Sequence, residues 1–392
     1  MMKISWMDAS AAEQKRMQEI AGLFTEKETV DELGLGPIRD ALGSMLFPGS
    51  STLHTRAKYL LLVPWFRVHA GPNASNEVVR EVERRFIKQM HAADADTDRD
   101  GLYGQQSVQV TRLASDVHSA VLITHGIRFD PAHPVSRRFL AELGYDDAAA
   151  APLLHPTLPA PPPEFPGVPG GFALEHHEAQ WLAERMLASS PDTVLAHFLE
   201  HKPALDSRFP WDDQAAAGIG GRAAERLRIA QQFATTIHGA QLLYNLRLSQ
   251  KQQDLYAESG EASAAPGDPE RYRRELELWA ADVAQLPRWD LEEILALVRE
   301  HRGAPLPQGL LSFLQSWDRV MQSTTAGQLS AHKDALELVE RRERAKKGGQ
   351  SRFRNRALLA GWGGASAAGR FSMRWGSSVR RILLDIHEGL DA

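Results

Sequence analysis

The chain has 392 residues, 43% hydrophobic and 24% charged, which is typical of a globular protein large enough for two packed units. It contains no cysteine, which excludes disulfides, thiolate nucleophiles and cysteine-based zinc or iron–sulfur sites. The first residues lack the apolar core of a signal peptide, and the longest apolar run, residues 59–66, is far too short to span a bilayer. We therefore expect a cytoplasmic protein without a membrane partner.

Helical periodicity dominates the chain from its start. Ser10 and Glu13 form a capping box, and the apolar spacing that follows predicts a helix over residues 10–28. A short helix is predicted over residues 36–47, and the next one, which begins near residue 52, is expected to stop at Pro64. Amphipathic patterns predict two more helices, over residues 76–93 and from residue 115 to Gly126. Together they predict an amino-terminal helical domain over residues 1–147.

Eight prolines interrupt this pattern between residues 148 and 172. Because proline has no amide donor and forces the preceding residue out of the α region, residues 152–169 should form neither helix nor sheet. The segment is interpreted as a domain-joining linker or as a strap laid over the surface.

Helical patterns resume beyond the prolines, including a long helix from about residue 222 to 256. A second helical domain is predicted over residues 173–340 and a basic segment over residues 341–392. Since the period-two alternation of strands is nearly absent, the predicted fold class is mainly α, with two helical units.

Residues 38–65 have the order of parts of a DNA-binding helix-turn-helix motif. A short helix and a glycine-containing turn precede a second helix whose predicted start carries Thr52, His54, Thr55, Arg56 and Lys58. Arg56 and Lys58 are therefore candidate contacts to phosphates or base edges. The alternative is an ordinary helical hairpin whose polar face is solvated.

The strongest signal is the segregation of charge into residues 341–381. That stretch has twelve Lys or Arg residues against one acid, Glu343, for a net +11, whereas the remainder has 33 basic and 49 acidic residues, for a net −16. Such asymmetry points to a polyanion or an acidic protein partner. With Trp362, Leu358 and Leu359 expected to face inward, the arginines nearby should turn outward. The predicted DNA- or RNA-binding residues of this segment are Lys346, Lys347, Arg352, Arg354, Arg356, Arg370 and Arg374.

An alternative enzymatic function rests on the stretch HFLEH, from His197 to His201. It resembles the H-x-x-E-H motif of inverzincin peptidases, in which two histidines hold Zn²⁺ and the glutamate acts as general base. Glu275 and Glu277 lie at the sequence distance of that family's third ligand. Helical patterns replace the strands that such a site needs, so we expect no third carboxylate at the two histidines, no metal and no cofactor.

Several stretches resemble a known bacterial family of unknown function. They are the block "DELGLGPIRDALGSMLFPGSSTLHTRAKYLLLVPW", the stretch "HGAQLLYNL" and the tail "RFRNRALLAGWGGAS". The resemblance implies a gene in antiphage defence islands beside a helicase and a phospholipase-D-type nuclease, as in the Azaca system. It thus implies an accessory role near DNA, with the helicase and the nuclease as possible partners, and brings no catalytic residues.

The combined expectation is a non-catalytic accessory protein that binds nucleic acid or a nucleic-acid-processing partner. The alternatives are a zinc metallopeptidase and a structural scaffold that docks an acidic protein.

Overall fold

The fold is described from a computed structural model. The helix expected over residues 10–28 lies outside the described residues, as do Lys347, Arg370 and Arg374. The residues described are 33–51, 53–71, 73–93, 97–98, 100–103, 113–145, 147, 151–167, 171–207, 209–260, 267–323, 326–346, 348–363 and 377–392.

The predicted mainly α fold class is confirmed. Within the described ranges the regular structure consists of α-helices, short 3-10 turns and one isolated antiparallel bridge between Arg128 and Leu154. The first eight helices are α1 (Gly36–Leu46), α2 (Tyr59–Ala70), α3 (Asn76–Ala92), α4 (Ala114–Val117), α5 (Ser119–Thr124), α6 (Pro134–Glu142), α7 (His176–Ser189) and α8 (Val194–Glu200). The others are α9 (Gly221–Ser259), α10 (Pro269–Val283), α11 (Leu291–Arg302), α12 (Gln308–Ser323), α13 (Lys333–Arg344), α14 (Arg356–Ala360) and α15 (Ser377–Asp391).

The chain divides into two compact units, and neither is contiguous in sequence. Unit I comprises the described parts of residues 39–231, 300–302 and 373–392, and unit II those of residues 1–38, 232–299 and 303–372. The division therefore does not fall at residues 148–172, where the prolines predict a boundary. No helix within the described residues combines the length and apolar character needed to cross a bilayer.

The proline-rich segment is a strap on unit I. Its residues 151–167 contain no helix, as predicted, and only Leu154 takes part in a bridge. Trp65 Nε1 donates a hydrogen bond to the Pro159 carbonyl at 2.7 Å, and the Phe165 ring lies 5.9 Å from that of Trp65. These contacts explain why the segment stays with one unit instead of linking two.

Helix α2 forms part of the core of unit I. Its residues from Tyr59 to Phe66 are all buried, and Pro64 lies inside the helix rather than at its end as predicted. Proline at that position removes one helical hydrogen bond, and the burial of the surrounding apolar side chains outweighs that loss. The single helix predicted to end at Gly126 is instead two short ones, α4 and α5, and Gly126 follows with φ +64°.

The second half of helix α9 belongs to unit II, where α10 packs against it. It extends from Gly221 to Ser259, close to the prediction, and enters unit II at Gln232. The Trp279 indole donates to the Thr235 carbonyl at 2.7 Å and covers Gly239 so closely that a Cβ there would lie 2.3 Å from the ring. Glycine at 239 thus allows α10 to pack against α9.

Candidate nucleic-acid interface

Arg56 and Lys58, predicted to contact phosphates, are buried in unit I. Only 2% and 3% of their surfaces are exposed. Arg56 Nε lies 3.0 Å from Asp385 Oδ2, and its Nη1 lies 2.7 Å from Asp98 Oδ2. Lys58 Nζ is paired with Glu178 on α7. Both positive charges are therefore neutralised inside the protein and do not face a nucleic acid.

The helix-turn-helix interpretation fails for the same reason. Helix α2 begins at Tyr59, so the polar residues that were expected to open a recognition helix precede it. The helix itself is buried over most of its length, whereas a recognition helix must expose one face to the groove. The block is a buried structural element.

The ion pairs of Arg56 have partners that sequence reasoning missed. Asp385 lies on α15, 329 residues along the chain. It also accepts a hydrogen bond from the Ala57 backbone N–H at 2.9 Å and forms an ion pair with Arg381, whose Nε lies 3.0 Å from Asp385 Oδ1. Desolvation alone would raise the pKa of Asp98, but its hydrogen bond and attraction to Arg56 hold that pKa below its usual value. The network fixes the chain before α2 to the carboxy-terminal helix.

The basic segment in unit II is organised around its one acid. Glu343, near the end of α13, is fully buried. Its carboxylate accepts hydrogen bonds from Ser351 Oγ at 2.5 Å and from the Arg352 backbone N–H at 2.9 Å. Glu343 thereby closes the loop that follows α13 and points away from solvent.

Helix α14 is anchored at both of its ends. Asn355 caps its start by accepting from the Ala357 N–H at 3.0 Å. Gln252, on α9, donates to the Leu359 and Trp362 carbonyls at 3.1 and 2.9 Å. Leu359 and Trp362 are buried as expected, whereas Leu358, predicted to face inward, is 42% exposed.

The predicted cations of this segment differ in accessibility. Arg354 and Arg356 are exposed, and Arg356 lies 3.2 Å from Glu258, itself solvent-accessible. Arg352 is half-buried and donates to the Tyr244 hydroxyl at 2.9 Å. Lys346 is half-buried, with its Nζ 3.8 Å from Glu343. Helix α14 starts only at Arg356, so the turn before it, not a helix, carries Arg352 and Arg354.

Further arginines at the end of α13 extend this positive charge. Arg341 is exposed, and Arg344 shares Glu340 with Arg247 at distances of 2.8 Å each. Although desolvation would raise the pKa of Glu340, the two guanidinium groups lower it, so the carboxylate stays ionised. We call the following set the basic face: Arg341, Arg344, Lys346, Arg354 and Arg356.

Comparison with known protein families identifies the family of the chain. The model of a family of unknown function, DUF6361, matches residues 1–388. The chain belongs to this family. Membership of an uncharacterised family is therefore shown, as the sequence resemblance indicated. No curated protein and no solved structure matches the chain.

In this member of DUF6361, the HFLEH stretch forms the end of a short helix. His197 Nε2 lies 2.9 Å from the Ala215 carbonyl, and the His201 ring stacks on that of His197 with centroids 4.3 Å apart. Glu275 is ion-paired with Arg271 at 2.9 Å. In the part of the chain that the structure describes, no three His, Asp or Glu side chains are grouped so that they could hold a metal ion.

Proposed function

We propose that this protein is a non-catalytic accessory component of a bacterial antiphage defence system. It binds nucleic acid, or a helicase or phospholipase-D-type nuclease that acts on nucleic acid, through the basic face of unit II. The proposal combines the sequence resemblance with the distribution of charge in the folded chain.

The burial of Glu343 carries the proposal. Residues 341–381 contain a single acid, and that acid accepts hydrogen bonds inside the loop instead of facing solvent. The segment therefore presents cations to solvent without an acid of its own among the described residues. Within the same described residues, the three carboxylates that pair with the basic face, the buried Glu343 with Lys346, Glu340 with Arg344 and Glu258 with Arg356, are fewer than its five cations.

The chemistry of the exposed side chains suits phosphate. Arg354 and Arg356 bring planar guanidinium groups, which bind phosphate oxygen atoms through two parallel hydrogen bonds. Such contacts release condensed counterions from the nucleic acid, so binding weakens steeply with salt. Because these contacts involve the backbone of the nucleic acid, they are expected to be insensitive to base sequence.

The test is a salt titration of DNA and RNA binding with a triple variant. Arg341, Arg354 and Arg356 are replaced together by Gln, which removes three exposed charges without touching Glu343 or its partners. Loss of about three phosphate contacts should lower the slope of log affinity against log salt by up to about 3 for duplex DNA. Fluorescence anisotropy with a labelled oligonucleotide measures the slope.

A matched control makes the same change of charge elsewhere in unit II. Arg288, Arg299 and Arg319 are also exposed and lie outside the basic segment. Their replacement by Gln should leave the slope near that of the parent. If both triple variants reduce binding equally, binding follows net charge and the assignment to the basic face is wrong. If the parent binds no nucleic acid but captures an acidic protein through the same arginines, the scaffold function replaces this one.

A further inference from the structure

Unit I contains a cleft that is lined by both apolar side chains and arginines. It has a volume of about 280 Å³ and lies among α2, α3, α4 and α5. The lining combines apolar side chains, among them Val63, Pro64 and Leu122, with the arginines Arg67 and Arg128. Apolar side chains with a few polar groups among them are the usual composition of a small-molecule site.

The cleft is held in shape by the backbone around it. Arg128 is bridged to Leu154, and the residues on either side of this bridge are hydrogen-bonded as well. The Phe129 N–H donates to the Leu153 carbonyl at 2.8 Å, and the His155 N–H donates to the Ile127 carbonyl at 2.9 Å. The arginine is thus carried by a fixed stretch of chain.

Two arginines of this cleft contact only neutral oxygen atoms within the described residues. Arg67 donates to the Ala74 carbonyl at 2.5 Å and to Asn76 Oδ1 at 2.6 Å. Arg128 donates to Ser119 Oγ at 2.8 Å. Since a guanidinium group has five N–H donors and a full positive charge, each retains donors and an unbalanced charge.

A third arginine lines the cleft but is already paired. Arg80 Nη2 lies 2.8 Å from Asp116 Oδ1, and among the described residues Asp116 is the one carboxylate in the lining. Three guanidinium groups against one carboxylate give the lining a net charge of +2. An anion with about two negative charges and several acceptor oxygen atoms would balance it.

We propose that this cleft binds a small organic phosphate. A phosphate monoester carries a charge of about −2 near neutral pH and three acceptor oxygen atoms, which matches both the charge and the remaining donors of Arg67 and Arg128. The organic part lies against Val63, Pro64 and Leu122. This site is independent of nucleic-acid binding by unit II, so either proposal can fail alone.

Calorimetric titration of the full chain at constant ionic strength tests the proposal with three probes. Phenyl phosphate should bind more tightly than inorganic phosphate, because only the ester has an apolar group to contact the apolar side chains of the lining. Benzoate, with one charge, should bind least. Replacing Arg67 or Arg128 by Gln should lower the affinity for phenyl phosphate about tenfold or more, as expected for the loss of one charge-assisted hydrogen bond.

Arg84→Gln is the matched control. Arg84 lies on α3, as Arg80 does, but is paired with Glu77 and is absent from the cleft lining. Its replacement should leave the affinity for phenyl phosphate unchanged. If Arg84→Gln weakens binding as much as Arg128→Gln, the loss reflects the overall charge of the protein and the proposed site is refuted. The same conclusion follows if benzoate binds with the same affinity as phenyl phosphate.

If a variant fails to fold, a crystal structure of the parent protein with phenyl phosphate tests the location of the site without any substitution. Phosphate oxygen atoms about 3 Å from the guanidinium nitrogen atoms of Arg67 or Arg128 would support the assignment. Phosphate found elsewhere, or none, would overturn it. Displacement of phenyl phosphate by a single-stranded oligonucleotide at equal phosphate concentration would overturn the small-molecule assignment in favour of a polymer.

Discussion

Arginines at 56 and 356 look alike in the sequence, yet one is buried and the other is exposed. Arg56 is 2% exposed and lies between Asp385 and Asp98 in unit I. The Arg356 side chain in unit II is 73% exposed, and its partner Glu258 is accessible too. The first arginine is part of the interior, and the second is available to a partner.

The difference lies in the surroundings. Arg56 precedes a run of buried apolar residues and is buried with them. Because a buried charge is costly unless it is paired, carboxylates lie beside it. Arg356 follows a stretch that is rich in glycine and cations and poor in apolar residues, and little there draws its charge inward. Positive charge in the sequence therefore does not by itself indicate an interface, because a cation can contact a partner only if it stays exposed after folding.

The largest effect is expected when the buried cation is removed. Arg56→Met leaves Asp385, whose side chain is 1% exposed, with Arg381 alone to balance it. Breaking a buried ion pair on one side typically costs about 3–5 kcal/mol, so the free energy of unfolding should fall by about that amount. Urea denaturation of both proteins measures the loss.

A double variant separates the charge from the packing. In Arg56→Met combined with Asp385→Leu, the uncompensated carboxylate is gone, so part of the lost stability should return. If the free energy of unfolding of the single variant falls by less than about 1 kcal/mol, Arg56 contributes no more to stability than an exposed arginine does.

Acid should destabilise the folded state of unit I through two buried histidines. Burial, aided by the neighbouring His54, lowers the pKa of His118 to about 3, and burial lowers the pKa of His125 to about 4 against a hydrogen bond with the Pro48 backbone. In the unfolded chain both titrate near 6.5, so the unfolded state binds more protons below that pH. Their contribution to stability is complete above pH 6.5 and is lost as the pH falls towards 4.

The two histidines set the size of this effect. Between pH 7 and pH 5 they should together cost up to about 4 kcal/mol. Glu83, whose pKa is raised by burial, acts in the opposite direction, whereas His155, whose pKa is lowered to about 4 by burial and by Arg185, adds to the loss. Urea denaturation at pH 7, 6 and 5 measures it. His118→Gln should make the dependence shallower, whereas the exposed His177→Gln should not, and equal dependence in all three proteins would contradict the assignment.

Local sequence patterns were sufficient to predict most of the helical fold. Helix α9 was predicted over residues 222–256 and extends from Gly221 to Ser259, because its periodicity is continuous and lies within one stretch of chain. Pro64 misled the prediction because a proline rule considers only neighbouring residues, whereas tertiary packing holds α2 together.

The candidate site was predictable only in part. Arg354 and Arg356 are exposed as expected, whereas Arg352, expected to turn outward with them on one helix, is half-buried because the helix starts only at Arg356. The burial of Arg56 and Lys58 could not be predicted, because their partners are 329 and 120 residues away. Arg67 and Arg128 gave no signal for a similar reason: each is an ordinary arginine in the sequence, and only the fold brings both to one cleft.

The smallest effect on stability is expected at the exposed arginines. Replacing Arg354 and Arg356 by Gln breaks one surface ion pair, with Glu258, and leaves the Glu343 hydrogen bonds and the buried Leu359 and Trp362 in place. Exposed pairs contribute little, because water and salt screen them and ordering two long side chains costs entropy. The free energy of unfolding in urea should therefore change by less than about 1 kcal/mol. A larger loss would mean that these arginines hold the loop together. An unchanged stability with a reduced salt dependence of nucleic-acid binding would instead show that the two side chains act on a partner and not on the fold.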